Sequence, residues 1–143
     1  MTAPLVPELD VRDLDRSLAF YVEVLGFRIA HQRPEEGFAY LERDGAELML
    51  ETAQGPGRRF RTAALEPPFG RGMNLQIRVA DAPGLLASLA AAGRLPLIPL
   101  ETRWYRAGHV ELGNRQFVVA DPDGYLLRFF EDLGERPLTG DLA

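Results

Sequence analysis

Three observations predict an α+β fold made of one β-α-β-β-β module used twice. Residues 116–132, QFVVADPDGYLLRFFED, read as two strands about a tight turn, and residues 38–51, FAYLERDGAELMLE, are a weaker copy. Each hairpin is also preceded by a strand, an Asp-capped helix and a further strand. In the second hairpin Pro122 presets φ, and Gly124 can take a positive φ without a Cβ penalty. Asp44-Gly45 stands at the corresponding turn of the first.

The elements follow in order. Residues 5–11 read as a strand, but Pro4 and Pro7 donate no ladder hydrogen bond, so it belongs at an edge, a bulge or an exchange point. Asp13 caps a helix with Leu14, Leu18, Tyr21, Val22 and Leu25 at helical spacing, and Gly26 ends it. Phe20 and Tyr21 on this helix are assigned to the core. Residues 27–32 read as a strand and 33–37 as a turn before the first hairpin. Residues 73–79 open the second module as a strand. Asp81 caps a short helix carrying Leu85, Leu86, Leu89 and Ala90, and Gly93 stops it. Residues 95–100 read as a strand and 101–113 as a loop before the second hairpin.

The chain divides as a single domain with a first module at 4–53, a linker at 54–71, a second module at 72–132 and a polar tail at 133–143, loose beyond Pro137. The linker holds Arg58, Arg59, Arg61, Phe60 and Phe69 and is long enough to act as a lid. Each module alone leaves one sheet face uncovered, so pairing of modules or of two chains is expected.

Composition narrows the class. The 143 residues are 46% hydrophobic and 26% charged, enough for a core that needs no metal or disulfide staple. There is no cysteine, which excludes thiolate chemistry and disulfides and suits a reducing compartment. The net charge of -5 argues against nucleic-acid binding. No apolar run approaches the roughly 18 residues of a membrane span, and the first residues lack a signal-peptide pattern. A cytoplasmic protein is expected.

Ser17 and Ser88 are the only serines. Both fall on predicted helices with no histidine nearby in sequence, so no nucleophile arrangement is visible. No glycine-rich phosphate loop is present. His31 and His109 lack a second histidine at metal-binding spacing. The suggestive stretch is Thr102-Arg103-Trp104-Tyr105-Arg106, where the sole tryptophan sits beside a tyrosine between arginines. Aromatic faces stack on flat rings, and arginine stacks or pairs with acidic groups. Trp104 and Tyr105 are therefore candidate ligand-binding residues, with packing over the sheet rim or a dimer contact as the alternative. Phe38, Tyr40 and Phe60 are candidate further walls.

The combination VPELDVRDLDRSLAFYVEVLGF, then LMLE, then VVADPDGYLLRFFE resembles the vicinal oxygen chelate superfamily, which joins glyoxalases, bleomycin-resistance proteins and dioxygenases. Within it the chain is most similar to the bleomycin-resistance proteins. The resemblance covers roughly residues 4–132. It implies paired modules whose mixed sheet forms a U-shaped cup, and a homodimer with ligand clefts at the subunit boundary. It also implies a first strand exchanged between subunits about a proline, the position held here by Pro7. Loops in the region of Trp104 border the ligand cleft in bleomycin binders.

Metal-dependent members of the superfamily place ligands at four strand positions. By resemblance these fall on Val6, Glu51, Asn74 and Arg128, with Met49 in place of Glu51 if the hairpin slips by two. Valine cannot ligate and arginine would repel a cation, so the set falls short of the three or four N/O donors a transition metal needs. Glu51, Asn74 and Arg128 are instead expected to form, with Gln76, a polar floor to the cup, as an ion pair or as contacts to a ligand.

The resulting expectation is a metal-free binding protein that sequesters a small aromatic or glycopeptide compound, with no cofactor. Bleomycin-type glycopeptides are basic and carry a flat bithiazole, which suits an acidic protein with aromatic clefts. Should Arg58, Arg59, Arg61, Arg103 and Arg106 line the cleft, an anionic or neutral aromatic metabolite is favoured instead. The alternative is a lyase, isomerase or dioxygenase that uses a divalent metal, with Glu51 as one ligand.

Overall fold

The computed structural model describes residues 2–139. The chain forms two compact units, Met1–Met73 with Ala120–Tyr125, and Asn74–Val119 with Leu126–Ala143. Each holds one four-stranded mixed sheet, and the two sheets have the same strand order.

In the first unit, β1 (Glu8–Val11) leads into α1 (Leu14–Leu18), then β2 (Arg28–Arg33), β3 (Phe38–Arg43) and β4 (Ala46–Thr52). The sheet order is β1-β4-β3-β2, with β1 parallel to β4 and the other pairs antiparallel. The strand expected over 5–11 begins only after Pro7. The Pro7 carbonyl still accepts from the Met49 N–H at 2.9 Å, so the proline has lost its donor role alone. Asp13 caps α1 as expected, its side chain accepting from the Arg16 N–H. The helix then widens into a π turn over Ala19–Val24, and the consecutive Phe20 and Tyr21 are both buried. They pack with Leu9, Val11, Leu48 and Leu50 in the core of this unit.

The turn 121–124 belongs to this unit although it joins strands of the other. Asp121 accepts at one oxygen from the backbone N–H groups of Asp123, Gly124 and Tyr125, and at the other from the Tyr21 hydroxyl. Asp123 is paired with the Arg12 guanidinium at 2.9 Å.

In the second unit, β5 (Asn74–Arg78) is followed by α2 (Ala82–Ala91), β6 (Ile98–Ala107), β7 (Val110–Ala120) and β8 (Leu126–Pro137), in sheet order β5-β8-β7-β6. Ala82, Leu85 and Leu89 of α2 are buried, as are Ile77, Phe117, Val119, Leu127 and Phe129 on the strands. Two expectations are corrected here. The loop assigned to 101–113 is a hairpin, with β6 running to Ala107 and β7 starting at Val110 about Gly108-His109. Its charged side chains mark an edge strand, where they discourage pairing with other chains, and the same polarity is what a loop would show. The tail assigned to 133–143 begins as strand, because β8 extends to Pro137. Residues 138 and 139 have no regular structure, and 140–143 lie outside the described residues.

Residues 53–73 have no helix or strand, yet they are tied to the first unit. Arg59 bonds to the Thr52 carbonyl and Arg61 to the Asp10 carboxylate, and Phe69 is buried edge-on against Tyr125.

Candidate functional site

Strand alternation gives each sheet a core face and an open face. In the first unit, the register aligns Asp10 with Glu51, Glu51 with Phe38, Met49 with Tyr40 and Tyr40 with His31, so all share the open face. Glu51 is 5% exposed, and its carboxylate is paired with the Arg59 guanidinium at 2.7 Å. Asp10 pairs with Arg61 at 3.1 Å. Burial, then the charges of Glu51 and Asp10, push the Glu8 carboxyl above its ordinary range.

The two aromatics of this face are covered by their own neighbours. The Arg33 guanidinium lies 4.0 Å from the Phe38 ring centre, and the His31 ring is stacked on Tyr40 at 4.7 Å. The Tyr40 hydroxyl donates to Glu47 at 2.6 Å, a bond that pushes the phenol up to about 12. Phe60 is the reverse case: it is 73% exposed, with Arg58 beside it, at the edge of a cavity of about 510 Å³ that Asp10, Arg61 and Phe69 also line.

The open face of the second unit is less filled. Register places Asn74 beside Leu126, Gln76 beside Arg128, Glu101 beside Gln116 and Tyr105 beside Leu112. Two cavities lie along it, of about 360 and 590 Å³, and both are lined by Tyr105 and Arg128. Asn74, Glu101, Arg103 and Gln116 line the smaller one, with apolar walls from Ile98, Val118 and Leu126. Gln116 Nε2 donates to the Tyr105 hydroxyl oxygen at 2.6 Å and to Glu101 at 3.3 Å. Arg128 Nη2 donates to Gln76 Oε1. Two buried side-chain atoms, Gln116 Oε1 and Arg128 Nε, have no partner among the described residues. Such a pair is costly to leave unmet and marks where a ligand's polar groups would be bound most strongly.

Trp104 lies on the other face of β6 from Tyr105. Its ring packs over Gly113, and the Arg136 guanidinium lies 4.1 Å from the ring centre, itself paired with the buried Glu111. The structure thus separates the two residues that the sequence reading joined, because a strand alternates its side chains where a loop need not. A Cβ on Gly113 would come within 2.7 Å of the indole. Gly113→Val is therefore expected to cost about 1–3 kcal/mol by overpacking. Urea unfolding followed by the near-ultraviolet signal of the single tryptophan measures it.

Of the expected polar cluster, Arg128 bonds to Gln76, and Glu51 takes Arg59 as its partner. Of the residues assigned to a site, the structure brings together Asn74, Tyr105 and Arg128. Glu51, Phe38 and Tyr40 share the face of the first unit. Gln116 and Glu101 were missed; reading 98–107 as a strand would have placed Glu101 and Tyr105 on one side.

Nor do the four positions that carry metal in related folds fit a metal here. Val6 has no donor atom, Glu51 is already held by a guanidinium, Asn74 is a weak ligand and Arg128 is cationic. Among the described residues no group of three or more His, Cys, Asp or Glu side chains is arranged to hold an ion.

Comparison with known proteins agrees with this fold. The model of the Glyoxalase/Bleomycin resistance protein/Dioxygenase superfamily matches residues 7–129. Bleomycin resistance proteins of Geobacillus stearothermophilus and Staphylococcus aureus are each 29% identical over 135 residues, covering 90% of this chain and 96% of theirs. The crystal structure of TioX from Micromonospora sp. ML1 matches with a TM-score of 0.72 at 25% identity, over 92% of this chain and 99% of that one. A virulence protein of Salmonella typhimurium, 19% identical, shares the fold with a TM-score of 0.67 over 92% and 97% of the two chains.

Proposed function

Because the chain belongs to the glyoxalase/bleomycin resistance protein/dioxygenase superfamily, we propose that it is a binding protein of the bleomycin-resistance type. In this reading it is a cytoplasmic homodimer that holds an aromatic or glycopeptide compound in clefts between subunits, without metal and without chemical change. The relatives named as bleomycin resistance proteins support the ligand class. The observation that carries the reading is the open face of the second unit, where an aromatic ring, a guanidinium and unpaired buried polar atoms meet in one cavity. Such a mixture of apolar wall and a few convergent polar groups is the usual make-up of a small-molecule site. The four metal positions supply too few donors for a metal-assisted reaction.

Calorimetric titration with bleomycin, metal-free and copper-loaded, tests this. Binding at micromolar affinity or tighter is expected, at one ligand per subunit. Arg128→Ala and Tyr105→Ala are expected to weaken it about tenfold or more, roughly 1.4 kcal/mol each. Trp104→Phe should change it less than about twofold, a difference too small for a lost contact. No binding of either form would remove the drug from the account.

A further inference from the structure

The unpaired groups of the smaller cavity in the second unit constrain the ligand further. Gln116 is 4% exposed, and its neighbours decide which way its amide points. The Glu101 carboxylate accepts and does not donate, so the Nε2 end must face it. The other Nε2 hydrogen goes to the Tyr105 oxygen at 2.6 Å. Both N–H groups are then used, and Oε1 is left buried and without a donor among the described residues. Because the Tyr105 oxygen is already an acceptor, its own proton is available to the cavity. Arg128 Nε, in the same cavity, is a buried donor without an acceptor among the described residues. The residues that line the cavity of about 360 Å³ therefore carry one unmet acceptor and one unmet donor, both covered by their neighbours, and a free tyrosine proton between apolar walls.

We propose that this cavity is a carboxamide subsite. It takes a neutral planar group whose carbonyl oxygen accepts from Arg128 Nε and the Tyr105 hydroxyl, and whose N–H donates to Gln116 Oε1. A carboxylate would satisfy the donors but set its lone pairs against Gln116 Oε1. An ester has no N–H for that oxygen, and an ammonium has no acceptor for Arg128. Glu101 and Arg103 at the same cavity pair at 3.4 Å, which leaves the Arg128 guanidinium, bonded to the neutral Gln76, to attract a carboxylate; the benzoate probe weighs that attraction against the clash with Gln116 Oε1. The proposal rests on the small-molecule-binding reading and narrows it to ligands with a primary carboxamide or lactam edge.

The test uses the full isotopically labelled chain and three probes built on one ring: benzamide, benzoate of the same size, and methyl benzoate, one methyl larger. Side-chain resonances of Gln116 Nε2 and Arg128 Nε report the site. Benzamide is expected to shift both saturably and to bind at least about fivefold tighter than either analogue, the scale of one buried hydrogen bond. Arg128→Lys keeps the charge and removes the Nε donor, and it is expected to weaken benzamide about fivefold on the same scale. Equal or tighter binding of benzoate or methyl benzoate overturns the proposal. So does a benzamide response confined to residues outside the cavity, or no saturable response. The probe comparison needs no variant, so it stands whether or not Arg128→Lys folds. Bleomycin binding without benzamide binding would sink the subsite alone; benzamide binding without bleomycin binding would sink the drug alone.

Discussion

Asp121→Ala is expected to lower the unfolding free energy by about 3–5 kcal/mol, because it strands several buried donors at once. Asp121 is 4% exposed and accepts from the N–H groups of Asp123, Gly124 and Tyr125 at 2.9, 3.0 and 2.9 Å, and from the Tyr21 hydroxyl at 2.8 Å. Alanine removes all four acceptor contacts from a turn packed against the first helix. For a domain of this size each kcal/mol lowers Tm by about 2–4 °C, so a fall of roughly 10 °C is expected in a thermal scan. Asp121→Asn keeps an oxygen for the backbone groups and should cost about 1 kcal/mol, the worth of one hydrogen bond. A fall of less than about 1 kcal/mol for Asp121→Ala would show that the turn is not held by this carboxylate.

The same contact gives a pH dependence. Burial, then the charge of Asp121, raises the Tyr21 phenol well above its ordinary value in the folded chain. The folded state therefore keeps a proton that the unfolded chain releases near pH 10, about the ordinary value for tyrosine. The stability from this proton is full below that pH and falls as the pH rises through the folded value. Tyr21→Phe should make the alkaline fall shallower, read as unfolding free energy against pH between about 9 and 11.

Arg59→Ala carries the second large effect, about 3–5 kcal/mol, the usual cost of removing one partner from a buried ion pair. The side chains of Arg59 and Glu51 are 15% and 7% exposed, and Asp10 lies 3.9 Å from the same guanidinium. Without Arg59, Glu51 is a buried carboxylate beside Asp10 and Glu8, whose own carboxyl is already raised by burial and by these neighbours. Adding Glu51→Gln to Arg59→Ala should recover more than half of the loss, because the uncompensated charge is then gone. Arg59 also ties residues 53–73 to the Thr52 carbonyl and the Glu51 carboxylate, so cleavage in that segment by a protease should speed up in the single variant. An equal stability of single and double variants would mean that the arginine acts by tethering and not by neutralising Glu51.

The sequence exposed the fold through its punctuation. Asp13 and Asp81 cap helices as their positions suggest, and the DPDG turn does its work with its own side chains. The repeated element order follows from these signals alone. What stayed hidden was the β6–β7 hairpin, since Arg103 and Arg106 give an edge strand the polarity of a loop. That error placed Trp104 and Tyr105 together, and it concealed the bonds of Gln116 to both Tyr105 and Glu101. Partners also escaped. Glu51 was legible as a charge facing the open side, but its neutralising group is eight residues onward in an irregular segment, where no periodicity points to it. Asn74 and Arg128 were legible through the family resemblance, which points to their strand positions, and the parallel pairing of β5 with β8 sets them on one face.

The most direct test of the account is a nuclear magnetic resonance titration of the labelled chain with metal-free bleomycin, followed at Tyr105, Gln116, Arg128 and the Trp104 indole. The open face of the second unit is expected to respond, with saturable shifts at Tyr105, Gln116 and Arg128 and little change at Trp104 on the opposite face. Saturable shifts centred on Trp104 and Arg136, with Gln116 and Arg128 unmoved, would contradict it.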